Sequence, residues 1–452
     1  MKKIHFIAIG GSAMHNLAIA LHKKGYEVSG SDDEIFEPSK GRLNKYGLLP
    51  KNEGWDTNNI HENLDAIILG MHARIDNPEL LKAQELGLKV YSYPEYVYEQ
   101  TKDKIRIVIG GSHGKTSITA MLLHVFSQLN IKTDYLVGAQ LEGFETMVSL
   151  EHDNKYAVIE GDEYLSSPID RRPKFHLYQP NIALVSGIAW DHINVFKTFD
   201  IYKEQFKIFI EKISKDGFLT YCSEDKVLEE VVNNSQLPTN VSPYKIPDFE
   251  IENGVTYILH GGKKYALNVF GKHNLMNIEG ARNICEHIGI SSDEFYTAIG
   301  SFKGASGRMQ LIDKNEDSLF FRDFAHSPSK LSATVRAAKE QFVNKKLIAC
   351  MELHTFSSLN KEFLDQYAGC MDMADIAVVY FNPHTLAHKK LPPITIEEVK
   401  EAFGNDKILV LNKSEKVIDL LNDENEPNSV FLMMSSGNFD GINYYELAEQ
   451  LL

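Results

Sequence analysis

A chain of 452 residues with 43% hydrophobic side chains is long and apolar enough for two or three folded domains. Its net charge of −15 excludes a general nucleic-acid binder, which would show a basic face, but leaves room for a local basic pocket around a phosphorylated substrate. Four scattered cysteines without a CxxC pair fit the reduced thiols of a cytoplasmic protein better than a disulfide frame or a zinc site. No run approaches about 18 apolar residues, so no membrane span is expected. Met1-Lys2-Lys3 and the apolar residues 4–9 imitate a secretion signal. That run breaks at Gly10-Gly11, and His15 and Asn16 follow.

Residues 4–9 read as a buried strand, Gly10-Gly11-Ser12 as a turn, 13–24 as a helix, and 26–32 as a second strand ending in Asp32. This is the start of a dinucleotide-type βαβ unit, in which the turn and the helix start face a pyrophosphate. The fingerprint is degenerate: Ala8 and Ala13 hold two of its three glycine positions. It therefore supports a nucleotide-diphosphate site rather than NAD or FAD in particular. Asp32 stands where a ribose contact is expected, though an acid there also caps loops. Residues 66–70 form a further strand, and Asn77-Pro78 starts the next helix. Arg74, between them, either binds an anion or is simply solvated.

After Arg106, the apolar, β-branched residues 107–109 run into Gly110-Gly111-Ser112-His113-Gly114-Lys115-Thr116-Ser117, and 118–129 read as a helix. Strand, glycine turn and helix make a phosphate cradle. Backbone N–H groups of the turn and helix start aim at an anion, and the helix dipole adds a favourable field. Lys115 would neutralise phosphate charge, and the Thr116 hydroxyl would sit on Mg²⁺. Strict P-loop spacing is not met, because Ile109 stands at its first glycine. The plain alternative is a glycine turn with Lys115 in solvent.

Glu160-Gly161-Asp162-Glu163 closes the apolar strand 156–160 at the end that faces the ligand crevice in open α/β sheets. Glu160 is placed to supply a Mg²⁺ ligand beside Thr116; otherwise the segment is an acidic surface loop. The strand 182–186 leads to Asp191-His192, a second metal position or a structural histidine. Residues 270–277 open a helix that continues to about 287. Asn274 and Asn277, three apart, share a helix face and either read adenine edges or cap the helix.

Arg308 precedes the strand-like run 318–323, and Phe324-Ala325-His326-Ser327-Pro328 leads into a helix. The apolar runs 346–351, 375–381, 407–411 and 429–434 alternate with helical stretches and predict a second doubly wound sheet. The loop Ser435-Ser436-Gly437-Asn438 closes the last of them. There is no internal repeat and no low-complexity linker.

In this order, the motifs resemble the Mur ligase family, ATP-dependent ligases acting on UDP-N-acetylmuramic acid. The resemblance spans the chain and is carried by Gly10-Gly11-Ser12, the 111–116 turn, Glu160-Gly161-Asp162-Glu163, Asp191-His192, His273-Asn274 with Asn277, Arg308, and Asp323-Phe324-Ala325-His326. It implies an α/β protein of three domains. A Rossmann-like N-terminal domain, residues 1–104, would hold the UDP substrate through Gly10, Gly11, Ser12, Asp32 and Arg74. A central P-loop-type ATPase domain with a mostly parallel sheet would span 105–305. A Rossmann-like C-terminal domain, 306–452, would close on ATP and bind the incoming amine. The resemblance also implies an ATP site of Gly111, Ser112, Gly114, Lys115, Thr116, Ser117, Asn274, Asn277, Arg308, Asp323 and His326. It puts Mg²⁺ on Thr116, Glu160 and His192, and makes Lys115, His113, Glu160 and His192 catalytic, with His113 touching the substrate carboxylate. Some relatives carry a carbamylated lysine that bridges metals; Phe206 stands at that position, so none is expected here.

Residues 159–164, 170–175 and 434–442 resemble the branch that joins UDP-N-acetylmuramate to L-alanyl-γ-D-glutamyl-meso-diaminopimelate in peptidoglycan recycling. Near relatives add L-alanine to the same substrate in peptidoglycan biosynthesis, and they typically carry an arginine-containing motif after the strand at 346–351. Here that stretch reads Glu352-Leu353-His354-Thr355-Phe356-Ser357-Ser358, without an arginine. The tripeptide branch's usual motif is not well matched there either. The implied reaction forms an acyl phosphate from the muramyl carboxylate and ATP, which the amine then attacks. Expected cofactors are ATP and Mg²⁺. Expected partners are UDP-N-acetylmuramate and the murein tripeptide or L-alanine, with no nucleic acid and no membrane. Two rivals account for fewer motifs: a P-loop switch or motor that only hydrolyses ATP, and a flavin or nicotinamide oxidoreductase built on residues 4–32.

Overall fold

Strands whose residues are apolar in an unbroken run need cover on both faces, and helices on either side of a parallel sheet supply it. In the computed structural model, which describes residues 1–141, 143–190, 195–237, 240–305 and 307–452, Ala66–Leu69, Ile182–Val185 and Ile376–Phe381 are of this kind. By its internal contacts the chain forms two units, Met1–Ile246 with Met276–Ile299, and Pro247–Leu275 with Gly300–Leu452.

The first unit holds two sheets. One has four parallel strands in the order Glu27–Ser31, Lys3–Ile7, Ala66–Leu69, Val90–Ser92. Phe6, Ile7, Ile67, Ile68 and Leu69 are fully buried in it. Ala8, at a fingerprint glycine position, takes φ +69°, a conformation that glycine supplies more readily. Gly70 makes room for it: a Cβ there would lie 2.8 Å from the Ala8 Cβ.

The other sheet has seven strands, ordered Asn240–Tyr244, Phe218–Cys222, Ile182–Val185, Ile105–Gly110, Tyr156–Glu160, Thr133–Leu136, Val148–Ser149. Only the last pairing among these described strands is antiparallel. The strand Ile105–Gly110 is central, flanked by Tyr156–Glu160 and Ile182–Val185. The loops after all three therefore emerge side by side at the C-terminal edge. The helix after the turn is Lys115–Gln128, so Lys115, Thr116 and Ser117 are its first turn rather than part of the preceding loop, as the 118–129 reading had them. Links between the two sheets keep the expected boundary near residue 104 inside one unit. Met147 N–H donates to Asn16 Oδ1 at 2.9 Å, and Lys23 and Lys45 both pair with Glu145.

The second unit is built on a six-stranded sheet, ordered Gln310–Lys314, Leu319–Asp323, Ser429–Met434, Lys346–Leu353, Ile376–Phe381, Leu409–Leu411. Its five inner and far-edge strands are the five runs expected from the sequence, all parallel; Gln310–Lys314 adds an antiparallel edge. Successive residues serve opposite cores, as strand geometry requires. Leu347, Ala349 and Met351 join one cluster, Ile348 and Cys350 the other. The same unit carries an antiparallel sheet that no sequence expectation covered, Phe249–Glu252, Val255–His260 and Lys263–Leu267.

Candidate active site

The second glycine turn is organised by left-handed glycines. Gly114 caps the helix Lys115–Gln128 with φ +78°, and Gly111 has φ +130°. Neither has room for a side chain. A Cβ on Gly114 would lie 2.5 Å from Asn277 Oδ1, and one on Gly111 would lie 2.1 Å from Ser186 Oγ. The backbone is thus held close to its neighbours.

Lys115 sits among carboxylates. Its Nζ donates to Gly111 O at 2.6 Å and to Glu163 Oε2 at 2.7 Å. Burial pulls its pKa down, but the Glu163 and Asp162 charges outweigh that and hold the ammonium above its ordinary range. Thr116 Oγ1 donates to Glu160 Oε1 at 2.9 Å, and Gly138 N–H donates to Glu160 Oε2 at 2.7 Å. Burial pushes the Glu160 carboxyl up, against the pull of the Gly138 N–H and Lys115. A carboxylate so placed gains from a nearby cation. Glu163 also accepts from Tyr202 Oη at 3.1 Å, and Tyr202 Oη lies 2.9 Å from Ser112 Oγ, tying the turn to the helix Phe199–Glu211. The Ser186 hydroxyl donates to the His113 carbonyl. Phe206 is fully buried, edge-on to Phe175 and Tyr202. Asp191 and His192 lie outside the described residues.

The first glycine turn is arranged differently. Asp32 is fully buried, and its Oδ2 accepts Gly10 N–H at 2.6 Å. His72 Nε2 lies 3.1 Å from Asp32 Oδ1. The Asp32 bond, against partial burial, raises the imidazole pKa above its ordinary value. Gly11 precedes the helix Ser12–Lys23, and a Cβ on it would lie 3.5 Å from His72 Cε1. Gly10, Gly11, Asp32 and His72 line a cavity of about 400 Å³, whereas Arg74 is exposed outside that lining. The candidate ligand atoms of Asp32, Asp33 and His72 come within 4.8 Å of one another. With both Asp32 oxygens engaged, this set reads as an ion pair at a backbone turn.

In the second unit, Asn274 spends its amide on Phe270 O at 2.9 Å. Asp323 is buried and accepts Met309 N–H at 2.5 Å and Ala325 N–H at 2.7 Å. Burial raises its carboxyl, opposed by the Met309 N–H and by Arg308 and His273; burial lowers the His273 imidazole, opposed by Asp323. The Arg308 guanidinium stacks 4.6 Å from the Phe324 ring centroid, and His326 Nδ1 lies 2.8 Å from Phe324 O. Near the end of the strand Lys346–Leu353 the buried Glu352 anchors the closing glycine loop. It accepts the Ser435 hydroxyl and Phe439 N–H, with His354 Nδ1 3.4 Å away. Ser358 is used in its own turn with Thr355.

Of the expected residues, the first unit thus gathers Gly111, Ser112, Gly114, Lys115, Thr116, Glu160 and Asn277 around one turn, and Gly10, Gly11 and Asp32 around another. Sequence reading missed the partners. Glu163 was quoted in its motif but given no role. Glu352 ends an apolar strand, as Glu160 does, and that signal would have found it. Tyr202 and His72 carried no local signal.

Three stretches match Mur ligase descriptions: "Mur ligase family, catalytic domain" over residues 3–104, "Mur ligase middle domain" over 109–285, and "Mur ligase, glutamate ligase domain" over 307–437. A UDP-N-acetylmuramate–L-alanine ligase of Caldicellulosiruptor bescii is 31% identical over 398 residues, 84% of this chain and 83% of its own. The UDP-N-acetylmuramate–L-alanyl-γ-D-glutamyl-meso-2,6-diaminoheptanedioate ligase of Haemophilus influenzae is 26% identical over 455 residues, 98% of each chain. The crystal structure of a UDP-N-acetylmuramate–alanine ligase from Thermotoga maritima superposes with a TM-score of 0.72 at 20% identity, covering 100% of this chain and 98% of its own, and so shares the fold.

Proposed function

Because this chain belongs to the Mur ligase family, and so is an ATP-dependent ligase that forms amide bonds, we propose that it joins UDP-N-acetylmuramate to L-alanyl-γ-D-glutamyl-meso-diaminopimelate. The observation that carries the chemistry is the second glycine turn, where Lys115, Thr116 and Glu160 converge beside two glycines that exclude side chains. The muramyl carboxylate attacks the γ-phosphorus of ATP, and ADP leaves. The peptide amine then attacks the acyl carbon, inorganic phosphate leaves, and the amine loses a proton. Phosphoryl transfer asks the protein mainly for position and charge neutralisation. The turn's N–H groups bind and orient the phosphates, and Lys115 holds a fixed positive charge there. His113, on the same turn, is assigned to the substrate carboxylate.

The Thr116 hydroxyl and the Glu160 carboxylate are hard oxygen donors suited to Mg²⁺, and the buried Glu160 is stabilised by a cation. When bound, Mg²⁺ would offset charge on the transferring phosphoryl group. In the same reading residues 1–104 bind the UDP substrate, 105–305 bind ATP with Asn274 and Asn277 among the contacts, and Arg308, Asp323 and His326 belong to the ATP side of the last segment.

The tripeptide is favoured over L-alanine by the absence of arginine in the Glu352–Ser358 stretch. A free amino acid carries its carboxylate beside the attacking amine and calls for a bidentate arginine near the acyl phosphate. In the tripeptide that carboxyl is a neutral amide. The second reading, L-alanine addition, rests on the 31% identical relative. Phosphate release with UDP-N-acetylmuramate and ATP, compared between the two amines, decides between them. The tripeptide is expected to lead by ~10²-fold or more in kcat/KM. Equal or better use of L-alanine would replace this assignment.

A further inference from the structure

We propose that His72 is the cationic contact for the substrate diphosphate at the first glycine turn and makes substrate affinity depend on pH; this rests on the reading that the turn binds UDP-N-acetylmuramate. The cavity of about 400 Å³ at this turn is lined by Gly10 and Gly11 and by the carboxylates of Asp32, Asp33, Glu34 and Glu37. Among its described lining residues, His72 alone can carry positive charge. A diphosphate entering without it would meet the helix start at Gly11, the uncharged Ser39 and Phe36, and four acids. The helix field alone is worth too little to offset several carboxylates. Arg74, the cation expected from sequence, is exposed and outside this lining.

The geometry suits the role. The His72 side chain is 50% exposed while Asp32 is fully buried, so the ring is anchored from inside and open outside. A protonated imidazole donates from both nitrogens. Nε2 faces Asp32 at 3.1 Å, which leaves Nδ1–H for a phosphate oxygen. The ring edge lies close to Gly11, with Cε1 3.5 Å from where a Cβ there would stand. Asp32 also holds Gly10 N–H, so one buried carboxylate fixes both the turn and the cation. The charged groups that line the cavity with His72 are Asp32, Asp33, Glu34 and Glu37, and of these Asp32 and Asp33 favour its protonated form. A raised imidazole pKa means the charge is present at low pH and is lost as pH rises through that value.

The test is calorimetric titration of the full chain with UDP-N-acetylmuramate between about pH 6 and about pH 9, where its diphosphate does not titrate. Wild-type affinity is expected to fall as pH rises. His72→Ala should bind roughly tenfold to a hundredfold more weakly at the acid end, the worth of one charge-assisted hydrogen bond, and should lose the pH slope. His72→Lys should restore binding and keep it flat with pH. Arg74→Ala should lose less than His72→Ala. Wild-type affinity and slope in His72→Ala would overturn the proposal. So would a dominant loss in Arg74→Ala. UDP itself is the second probe. If the wild-type protein binds neither UDP nor UDP-N-acetylmuramate, the substrate reading fails and the His72 proposal with it. If wild type and His72→Ala bind both equally, only the His72 proposal fails.

Discussion

The two glycine turns of the first unit make the same strand-to-helix connection with different backbones and different electrostatics: Gly114 caps its helix at φ +78° and Gly11 caps its own at φ −56°. Both follow a buried parallel strand and start a helix, and both have a carboxylate from a neighbouring strand end behind them. At 110–116 the cation is within the turn: Lys115 is one residue past the left-handed Gly114 and is held by Glu163 and Gly111 O. At 8–12 the turn has no cation, and His72 is brought in from the loop after Ala66–Leu69 by a buried aspartate. A lysine held by surrounding carboxylates keeps its charge through the neutral range; an imidazole does not. The difference separates a centre built for constant charge from a contact whose charge follows pH.

The largest expected effect separates the turns by function. Lys115→Ala should lower kcat by on the order of 10²-fold or more, as loss of a charge-neutralising group does, while UDP-N-acetylmuramate affinity stays within about twofold. Turnover matching wild type in a steady-state assay would remove the phosphate assignment from the second turn.

Next come the glycines. Alanine at Gly114 must adopt φ +78° and meet Asn277 at 2.5 Å, so ligation should drop roughly 10- to 100-fold with a lowered Tm. Alanine at Gly10 meets no left-handed strain, only the ends of two side chains, Asp32 Oδ2 at 2.9 Å and Ile35 Cγ1 at 3.1 Å. It should raise KM for the UDP substrate about tenfold and leave kcat nearly unchanged, since what it disturbs is one hydrogen bond. If both variants lose kcat alike, the turns do not divide the work.

Glu163→Gln tests why Lys115 stays charged. Removing the nearest carboxylate lowers the lysine pKa, so activity should fall by about tenfold and decline further as pH rises, whereas the wild-type profile is flat over that alkaline limb. An unchanged alkaline limb would mean that Asp162 and Glu160 suffice.

The smallest effect is on stability. His176 stacks on Phe175, with Nε2 2.8 Å from Gln205 O, and burial lowers its pKa from 6.5 to about 4. The unfolded chain takes up this proton below about 6.5, while the folded chain resists until about 4. Stability is therefore full above that window and is lost as pH falls through it, by on the order of 3 kcal/mol. His72 has the opposite sign: its contribution is present below the ordinary imidazole value and is lost as pH rises through the raised one. Thermal melts of His176→Asn should show a shallower acid decline than wild type; an identical slope would assign the acid sensitivity to other groups.

Elements were legible where one periodicity decided them. The runs 346–351 and 429–434 are apolar after Lys346 and Ser429 and can only be central strands or buried helix, and the alternation with helical stretches selects strands. The hairpins at Phe249–Leu267 were legible too, through the two-residue turns Asn253-Gly254 and Gly261-Gly262 with positive φ, and were overlooked because their strands are half polar. The helix start at Lys115 was misjudged by three residues, since the cap is a left-handed glycine inside a glycine-rich run.

The sequence by itself determined the strand–glycine–helix turns, the acids at strand ends, and the order of motifs that identifies the ligase family. These depend on neighbours within a few residues, where chain geometry leaves few options. Only the tertiary structure decided which group each of those residues would face. Sheet order alone puts the ends of Ile105–Gly110, Tyr156–Glu160 and Ile182–Val185 side by side, so that Lys115 meets Glu163 and Thr116 meets Glu160. The same is true of His72 and Asp32, which lie 40 residues apart. Their pairing depends on parallel strands whose register is set by packing on both faces, and no local pattern in the chain records it.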